Sequence, residues 1–279
     1  MGDALSVASA PRAFTTAVDW LALLDDTGAG DTFRDRAGAL VGAGARPFEA
    51  PVGAGLGPRL TWDTRGMTAT ADHPLGPPDW LGLRTEDGVV REKAYHAVGN
   101  RRLAVPFVLP GLPDGLPLSL VPKLVAVAGH RVELYLRAAG ELSPSQLIHA
   151  ANVVLGDEGP PLPLRPRAAP AGTGLSVRWD DGRPVAVTIV LWARALPEEA
   201  AVERYLRASL PDRERAVWEC VVALQPEMGI PLSRRHHAVS WSRVRGGSWQ
   251  VTDCLAVRAE GGPLQQRGGG AGRRLRTPS

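Results

Sequence analysis

The sequence predicts an α+β fold in which ten antiparallel strands form a large barrel with helices outside it. The first observation is a set of five tight-turn dipeptides, each flanked by strand-like runs: Arg65-Gly66, Asp87-Gly88, Ala128-Gly129, Asp181-Gly182 and Gly246-Gly247. Glycine at such places supplies the positive φ that two-residue hairpin loops require. The second is period-2 alternation in several of the flanking runs, as expected of strands. The third is the presence of helical segments between some of the hairpins. A barrel of that width has a usable interior, so its inward residues become the functional question.

Taken in order, residues 12 to 24 read as an amphipathic helix, with Phe14, Val18 and Leu21 at helical spacing. A weaker helix spans Asp31 to Val41. Leu60 to Thr64 and the Arg65-Gly66 turn open the first hairpin, and Val89 to His96 follows the second turn. From Gly99 to Pro122, prolines at 106, 110, 113, 117 and 122 forbid a long regular element, which leaves a crossing loop able to cover a site. Lys123 to Val127 and Arg131 to Arg137 form the third hairpin. Ser143-Pro144 is an N-cap with proline at the first helical position, leading into a helix to Leu155. A second Pro-rich connector, Gly156 to Gly174, precedes the strands Leu175 to Trp179 and Val185 to Trp192. Pro197-Glu198-Glu199 starts a helix to about Leu210, its early acids suiting the helix dipole. A further helix runs from Pro211 to Leu224, and Ala238 to Val244 with Trp249 to Val257 make the last hairpin.

No hairpin is separable from the next, so residues 1–258 read as a single barrel domain. Residues 259–279 read as a disordered basic tail. That tail carries Arg267, Arg273, Arg274 and Arg276 against Glu260, and 4 − 1 = +3 equals the whole chain's formal charge of +3. The body is therefore balanced, which argues against a phosphate-tracking nucleic-acid surface. With two lysines beside thirty arginines, arginine enrichment reflects coding bias rather than function. No run approaches the ~18 apolar residues of a membrane span, and no basic-then-apolar leader opens the chain. Cys220 and Cys254 are too few and too far apart for a metal motif and suit a reducing cytoplasm.

Alternation assigns side chains to faces. Arg59, Thr61 and Asp63 share one face of the first hairpin; Arg91, Lys93 and Tyr95 share one face of the next. Arg131, Glu133, Tyr135 and Arg137 stand opposite Val132, Leu134 and Leu136. Thr188 is the polar side chain of Val185 to Trp192. Gln250, Thr252 and Cys254 lie together in the last hairpin, with Ser240 and Ser242 facing the same way. If the aliphatic faces pack against helices, these polar residues line the interior. Cations beside phenols suit a diphosphate ester next to an allylic cation: charge for the leaving group, π-faces for the carbocation. The same alternation also fits a sheet with one face in water, so it leaves both arrangements open.

The segment His236 to Val251, with Ser240-Trp241-Ser242-Arg243 before the Gly246-Gly247 turn, resembles the final hairpin of the ABBA-fold aromatic prenyltransferases of the dimethylallyl tryptophan synthase type. Lys93-Ala94-Tyr95 resembles that family's Lys-x-Tyr strand, and Arg131-Val132-Glu133-Leu134-Tyr135 its Arg-x-Lys-x-Tyr strand. Glu49 precedes Arg59 at the spacing of the family's catalytic glutamate and first diphosphate-binding arginine. The resemblance covers Phe14 to about Arg258 and implies five αββα units closing a ten-stranded PT barrel. It also implies transfer of a dimethylallyl or geranyl group from its diphosphate to an indole or phenol, in secondary metabolism. Arg59, Lys93 and Arg131 would then hold the diphosphate by side chains alone, with no metal or other cofactor. Tyr95, Tyr135 and Trp192 would shield the cation, and Glu49 would assist deprotonation. Glu133, Thr188, Gln250 and Thr252 would line the rest of the barrel.

The chain departs from the family pattern in having three tyrosines in all, and in Glu133, an acid where a cation is expected. Those departures favour a rival reading, a binding barrel for a hydrophobic small molecule or peptide. A third reading is an open sheet that serves as an interaction surface. Other signals are slighter. His236-His237 is a poor metal pair because adjacent strand residues face opposite ways, and Asp25-Asp26 and Asp180-Asp181 read as a helix end and a turn. No P-loop, nucleophile elbow or dinucleotide loop is present.

Overall fold

The computed structural model describes residues 9–64, 75–98, 114–117, 119–156 and 162–257. Two helices, α1 (Ser9–Ala22) and α2 (Gly30–Gly42), precede four strands: β1 (Arg46–Gly53), β2 (Arg59–Asp63), β3 (Trp80–Glu86) and β4 (Val89–Ala97). Then come β5 (Leu120–Ala128), β6 (Arg131–Ala138), α3 (Pro144–Leu155), β7 (Thr173–Asp180) and β8 (Arg183–Trp192). Helices α4 (Glu199–Ser209) and α5 (Asp212–Leu224) lead to β9 (His236–Val244) and β10 (Gln250–Ala256). All ten strands pair antiparallel into one closed barrel, and β1 seals it against β10 through pairs from Glu49–Ala256 to Gly53–Thr252.

The expected ten-stranded barrel with outer helices is therefore the observed architecture. The apolar faces of the strands point outward and are buried under the helices. Leu60, Trp62, Leu83, Leu134, Leu175, Ile189 and Leu191 are all almost wholly inaccessible, as is Trp218 of α5 above them. Helix α3 packs on β7 and β8, and α1 packs against α5. The open-sheet reading is excluded because no strand edge remains between β1 and β10. The polar faces consequently point into the barrel rather than into bulk water.

Two turns match expectation in detail. Asp87-Gly88 (φ 52 and 74) and Asp181-Gly182 (φ 48 and 74) have both central residues at positive φ, as type I′ hairpins require. The first hairpin is different. Its strands are β1 and β2, joined across residues 54–58, and Arg65-Gly66 lies outside the described residues. Pro47, Pro51 and Gly53 hide β1 from a propensity reading. The strand tolerates Pro47 beside a register shift, and Pro51 sits opposite Cys254 in the ladder. Strand β5 begins at Leu120, earlier than the proline run suggests, because Pro122 lies at a bulge between Pro122 and Leu124. Residues 99–113 of the expected crossing loop lie outside the described residues, as does the tail from 258 onward. Among the described residues no helix is long and apolar enough to cross a membrane.

Candidate active site inside the barrel

The barrel encloses a cavity of about 480 Å³, within the range of small-molecule sites. Its wall is built by the polar alternation: Arg59 and Thr61 from β2, Lys93 and Tyr95 from β4, Glu133 and Tyr135 from β6, Thr188 from β8, and Gln250 and Thr252 from β10 all reach it. Glu49 and Trp192 also line it. The hairpin turns all fall at one end of the barrel, so chain direction sorts these groups along its axis.

Cations gather near the turn end. Arg59 of β2 sits directly opposite Arg84 of β3 in the ladder, and both face the cavity. Arg178 of β7 faces it too, paired in register with Glu133. The Nε atoms of Arg59, Arg84 and Arg178 are buried with no hydrogen-bond acceptor. Burial, with the neighbouring Arg84 charge, pulls the Arg59 guanidinium below its ordinary pKa despite Tyr95, Glu133 and Tyr135 nearby. Arg84 also pairs with Glu86 through Nη2 at 3.0 Å. Three guanidinium groups held close with their Nε donors unmatched still describe a site for an anion.

Lys93 is held differently. Its ammonium is ion-paired and hydrogen-bonded to Glu133 Oε2, and it donates to the Tyr135 hydroxyl at 3.1 Å. Ser176 donates to the other Glu133 oxygen at 2.5 Å. Burial alone would raise the Glu133 pKa, but Lys93, Ser176 and Arg178 together hold it well below the usual carboxylate range. The acid is thus an ionised partner that neutralises Lys93.

Above this layer the rings of Tyr95 and Tyr135 lie 5.9 Å apart at 53°, with Lys93 Nζ 5.1 and 5.5 Å from their centroids. Burial, with the neighbouring Glu133 charge, keeps the Tyr135 phenol protonated well above its ordinary pKa. Trp192 stands at the far end of β8 and its indole packs against Gly174 of β7. Any side chain at Gly174 would collide with it, since a Cβ there would come within 2.5 Å of the indole. One face of that indole is taken by the Arg137 guanidinium at 4.9 Å.

Glu49 lies midway along β1, with Thr61 and Ala256 as ladder partners. Burial raises its pKa to about 7, against a hydrogen bond with Cys254 and with help from the Asp253 charge. His237 Nδ1 lies 4.0 Å from Glu49 Oε2, and burial drops the His237 pKa to about 4, so it faces the carboxyl group as a neutral ring. A carboxyl group that titrates near neutrality beside an uncharged imidazole can accept a proton or a hydrogen bond from a ligand.

Arg131 is the expected residue that does not join the cavity. It is the first residue of β6, just past the turn, where it pairs with Glu86 and lies 3.6 Å from Asp180. It borders a small recess near the turns with Arg84, Lys93 and Arg178, outside the main wall. Gln250, also near the turns, is exposed at the rim. Arg84, Ser176 and Arg178 were missed from sequence although their signal exists. Leu83-Arg84 precedes the Asp87-Gly88 turn, and Leu175-Ser176-Val177-Arg178 alternates as cleanly as β6 does.

No protein-family model matches this chain, and neither does any curated protein sequence. Its fold does match solved structures. It is similar to the 5-dimethylallyl tryptophan synthase from Streptomyces coelicolor, in complex with DMASPP and Trp (TM-score 0.56, 17% identity, covering 90% of this chain and 97% of that one). It is also similar to the prenyltransferase PriB, in a ternary complex with L-tryptophan and dimethylallyl thiolodiphosphate (0.59, 14%, 88% and 96%). The 6-dimethylallyltryptophan synthase from Micromonospora olivasterospora, also with DMASPP and Trp, gives 0.57 at 16% identity over 92% and 100%. At these identities the likeness establishes a shared ABBA barrel.

Proposed function

We propose that the chain transfers a prenyl group from an allylic diphosphate to an electron-rich aromatic acceptor. The observation that carries this reading is the set of three arginines, Arg59, Arg84 and Arg178, with buried unpartnered donors turned toward one cavity. In the proposed reaction the allylic C–O bond breaks and the diphosphate leaves with the electron pair, taken up by those guanidinium groups. Tyr95 and Tyr135 cover the allyl cation with π-faces and keep water from it. The acceptor ring attacks to form the new bond, and the resulting arenium ion loses its proton to Glu49. Catalysis then rests on charge placement in a water-poor cavity.

Dimethylallyl and geranyl diphosphate are the donors considered, and an indole such as tryptophan or a phenol the acceptor. The reading is supported by the fold shared with tryptophan prenyltransferases whose structures hold a thiolodiphosphate and tryptophan. We place the protein in the cytoplasm, in keeping with two unpaired cysteines, and treat residues 1–258 as the functional unit. The Lys93–Glu133 pair favours the second reading, a barrel that binds a hydrophobic molecule without transferring a group, because it removes one cation from a diphosphate's reach.

Calorimetry with dimethylallyl thiodiphosphate separates the two readings. The transferase reading expects micromolar binding that Arg59→Ala and Arg178→Ala each weaken by about tenfold or more, at about 1.5–3 kcal/mol per charged hydrogen-bonding group. Arg131→Ala, tied to carboxylates at the rim, changes it by less than about threefold. Absence of binding at millimolar ligand excludes the transferase.

A further inference from the structure

Outside the barrel, where α4 lies against the start of β9 and the end of β10, His236, Glu199 and Glu203 turn toward one another. Each offers one ligand-type atom, and these atoms lie within 4.8 Å of one another. His236 is only 3% exposed, and its Nδ1 makes a 2.8 Å hydrogen bond to Asp253 Oδ2. That oxygen also accepts a 2.7 Å hydrogen bond from Trp218 Nε1, and the Trp218 ring stacks alongside the imidazole at 16°. Asp253 is wholly buried, so it is an acceptor that fixes both the orientation of the ring and the position of its proton at Nδ1.

With Nδ1 as donor, the lone pair of a neutral imidazole sits at Nε2, aimed at Glu199 Oε1 across 3.6 Å. Both atoms are buried and neither has a hydrogen-bond partner. A close approach of Nε2 to a carboxylate oxygen requires a cation between them, either a proton that makes His236 an imidazolium paired with Glu199 or a metal ion bound by both. A buried carboxylate behind Nδ1, with Nε2 turned toward further carboxylates, is the arrangement that orients metal-ligating histidines.

We propose that His236, Glu199 and Glu203 hold a divalent transition-metal ion of the zinc class, which ties α4 to the barrel wall. One imidazole nitrogen and two carboxylates suit that class, with a fourth position left to water. Donors of a tetrahedral zinc site sit about 3.3 Å apart, so from separations within 4.8 Å the glutamates must close in by up to about 1.5 Å. They sit one turn apart near the start of α4 and are partly exposed, which allows that movement. Arg235 lies 3.1 Å from Glu203 Oε1, and Arg207 lies 3.9 Å from Oε2. These two cations face three carboxylates, Glu199, Glu203 and Asp253, which leaves the cluster net acidic before an ion enters. The role is structural, independent of the chemistry proposed for the barrel interior.

The test uses the full chain, stripped of metal with a chelator and titrated with Co²⁺, read by its visible absorption and by displacement with Zn²⁺. We expect one equivalent to bind with the spectrum of a nitrogen–oxygen site and to raise the Tm. Glu199→Gln and Glu203→Gln should each weaken binding by about tenfold or more while still unfolding cooperatively without metal. His236→Gln should abolish binding. No saturable binding at millimolar Co²⁺ overturns the proposal, and His236 is then a protonated ring paired with Glu199. Binding left unchanged in both glutamate variants also overturns it, since the ion then sits elsewhere.

Discussion

Glu49 and Glu133 are carboxylates in one cavity with opposite fates, because one is buried beside a thiol and an uncharged imidazole and the other is paired with a lysine. For Glu49 the consequence for stability has a definite sign. Its folded pKa, about 7, lies above the ordinary 4.5, so between those values the folded state holds a proton that the unfolded chain has released. Stability is therefore lost as pH rises through that window. Glu49→Gln removes the effect. The variant should match wild type below about pH 4.5 and exceed it above pH 7 by on the order of 3 kcal/mol, at ~1.36 kcal/mol per unit. Denaturant titrations at pH 4, 6 and 8 check this, and a difference that shrinks with rising pH contradicts it. In the same titration Glu133 acts the other way. Its depressed pKa contributes stability above the ordinary value, lost as pH falls toward the folded one.

Among the elements, α3 shows how fully a local signal can specify structure. The Gln146 backbone N–H donates to Ser143 Oγ at 3.3 Å, while the Ser143 N–H donates to the Gln146 side chain at 2.8 Å, completing a capping box. Leu147 and Val154 of that helix are buried over β7 and β8. Ser143→Ala should cost about 1 kcal/mol, seen as a lower denaturant midpoint at unchanged m-value. A changed m-value would mean that more than the cap was lost. The five helices and most strands were similarly legible because periodicity and caps are local. Strand β1 was not, since its Pro47, Pro51 and Gly53 are acceptable only where β2 and β10 happen to lie alongside. Which residues of β2, β4, β6 and β10 share a face is legible because a period of two fixes it once one side is buried, although Asp63, Arg91 and Arg131 of those faces do not reach the cavity. Whether that face met water or a cavity was not legible: it depends on closure. Nor was the loss of Arg131 to Glu86 and Asp180, which belong to neighbouring hairpins and meet it only at the rim.

At the scale of the molecule the barrel concentrates cations that the sequence spreads over four strands. Arg59, Arg84, Lys93 and Arg178 come together with Glu133 as the countercharge lining the cavity, while Glu86 pairs with Arg84 near the turns. Such a cluster destabilises the empty fold and should be relieved by any anion of matching size. Inorganic diphosphate at a hundredfold its Kd should add about 2.7 kcal/mol of stability, measurable as a rise in Tm that Arg178→Ala diminishes. An unchanged Tm would mean the guanidinium groups do not act as one site.

The pairing of Glu49 with Ala256 and Pro51 with Cys254 also dictates an order of events during synthesis. Until β10 has left the ribosome, β1 is an uncovered edge, and every strand in between belongs to an open, unfinished sheet. Such edges invite pairing with other chains, and contacts so distant in sequence form late. Until β10 emerges, the nascent barrel therefore keeps an edge of the kind chaperones recognise, and pairing of β10 with β1 removes it.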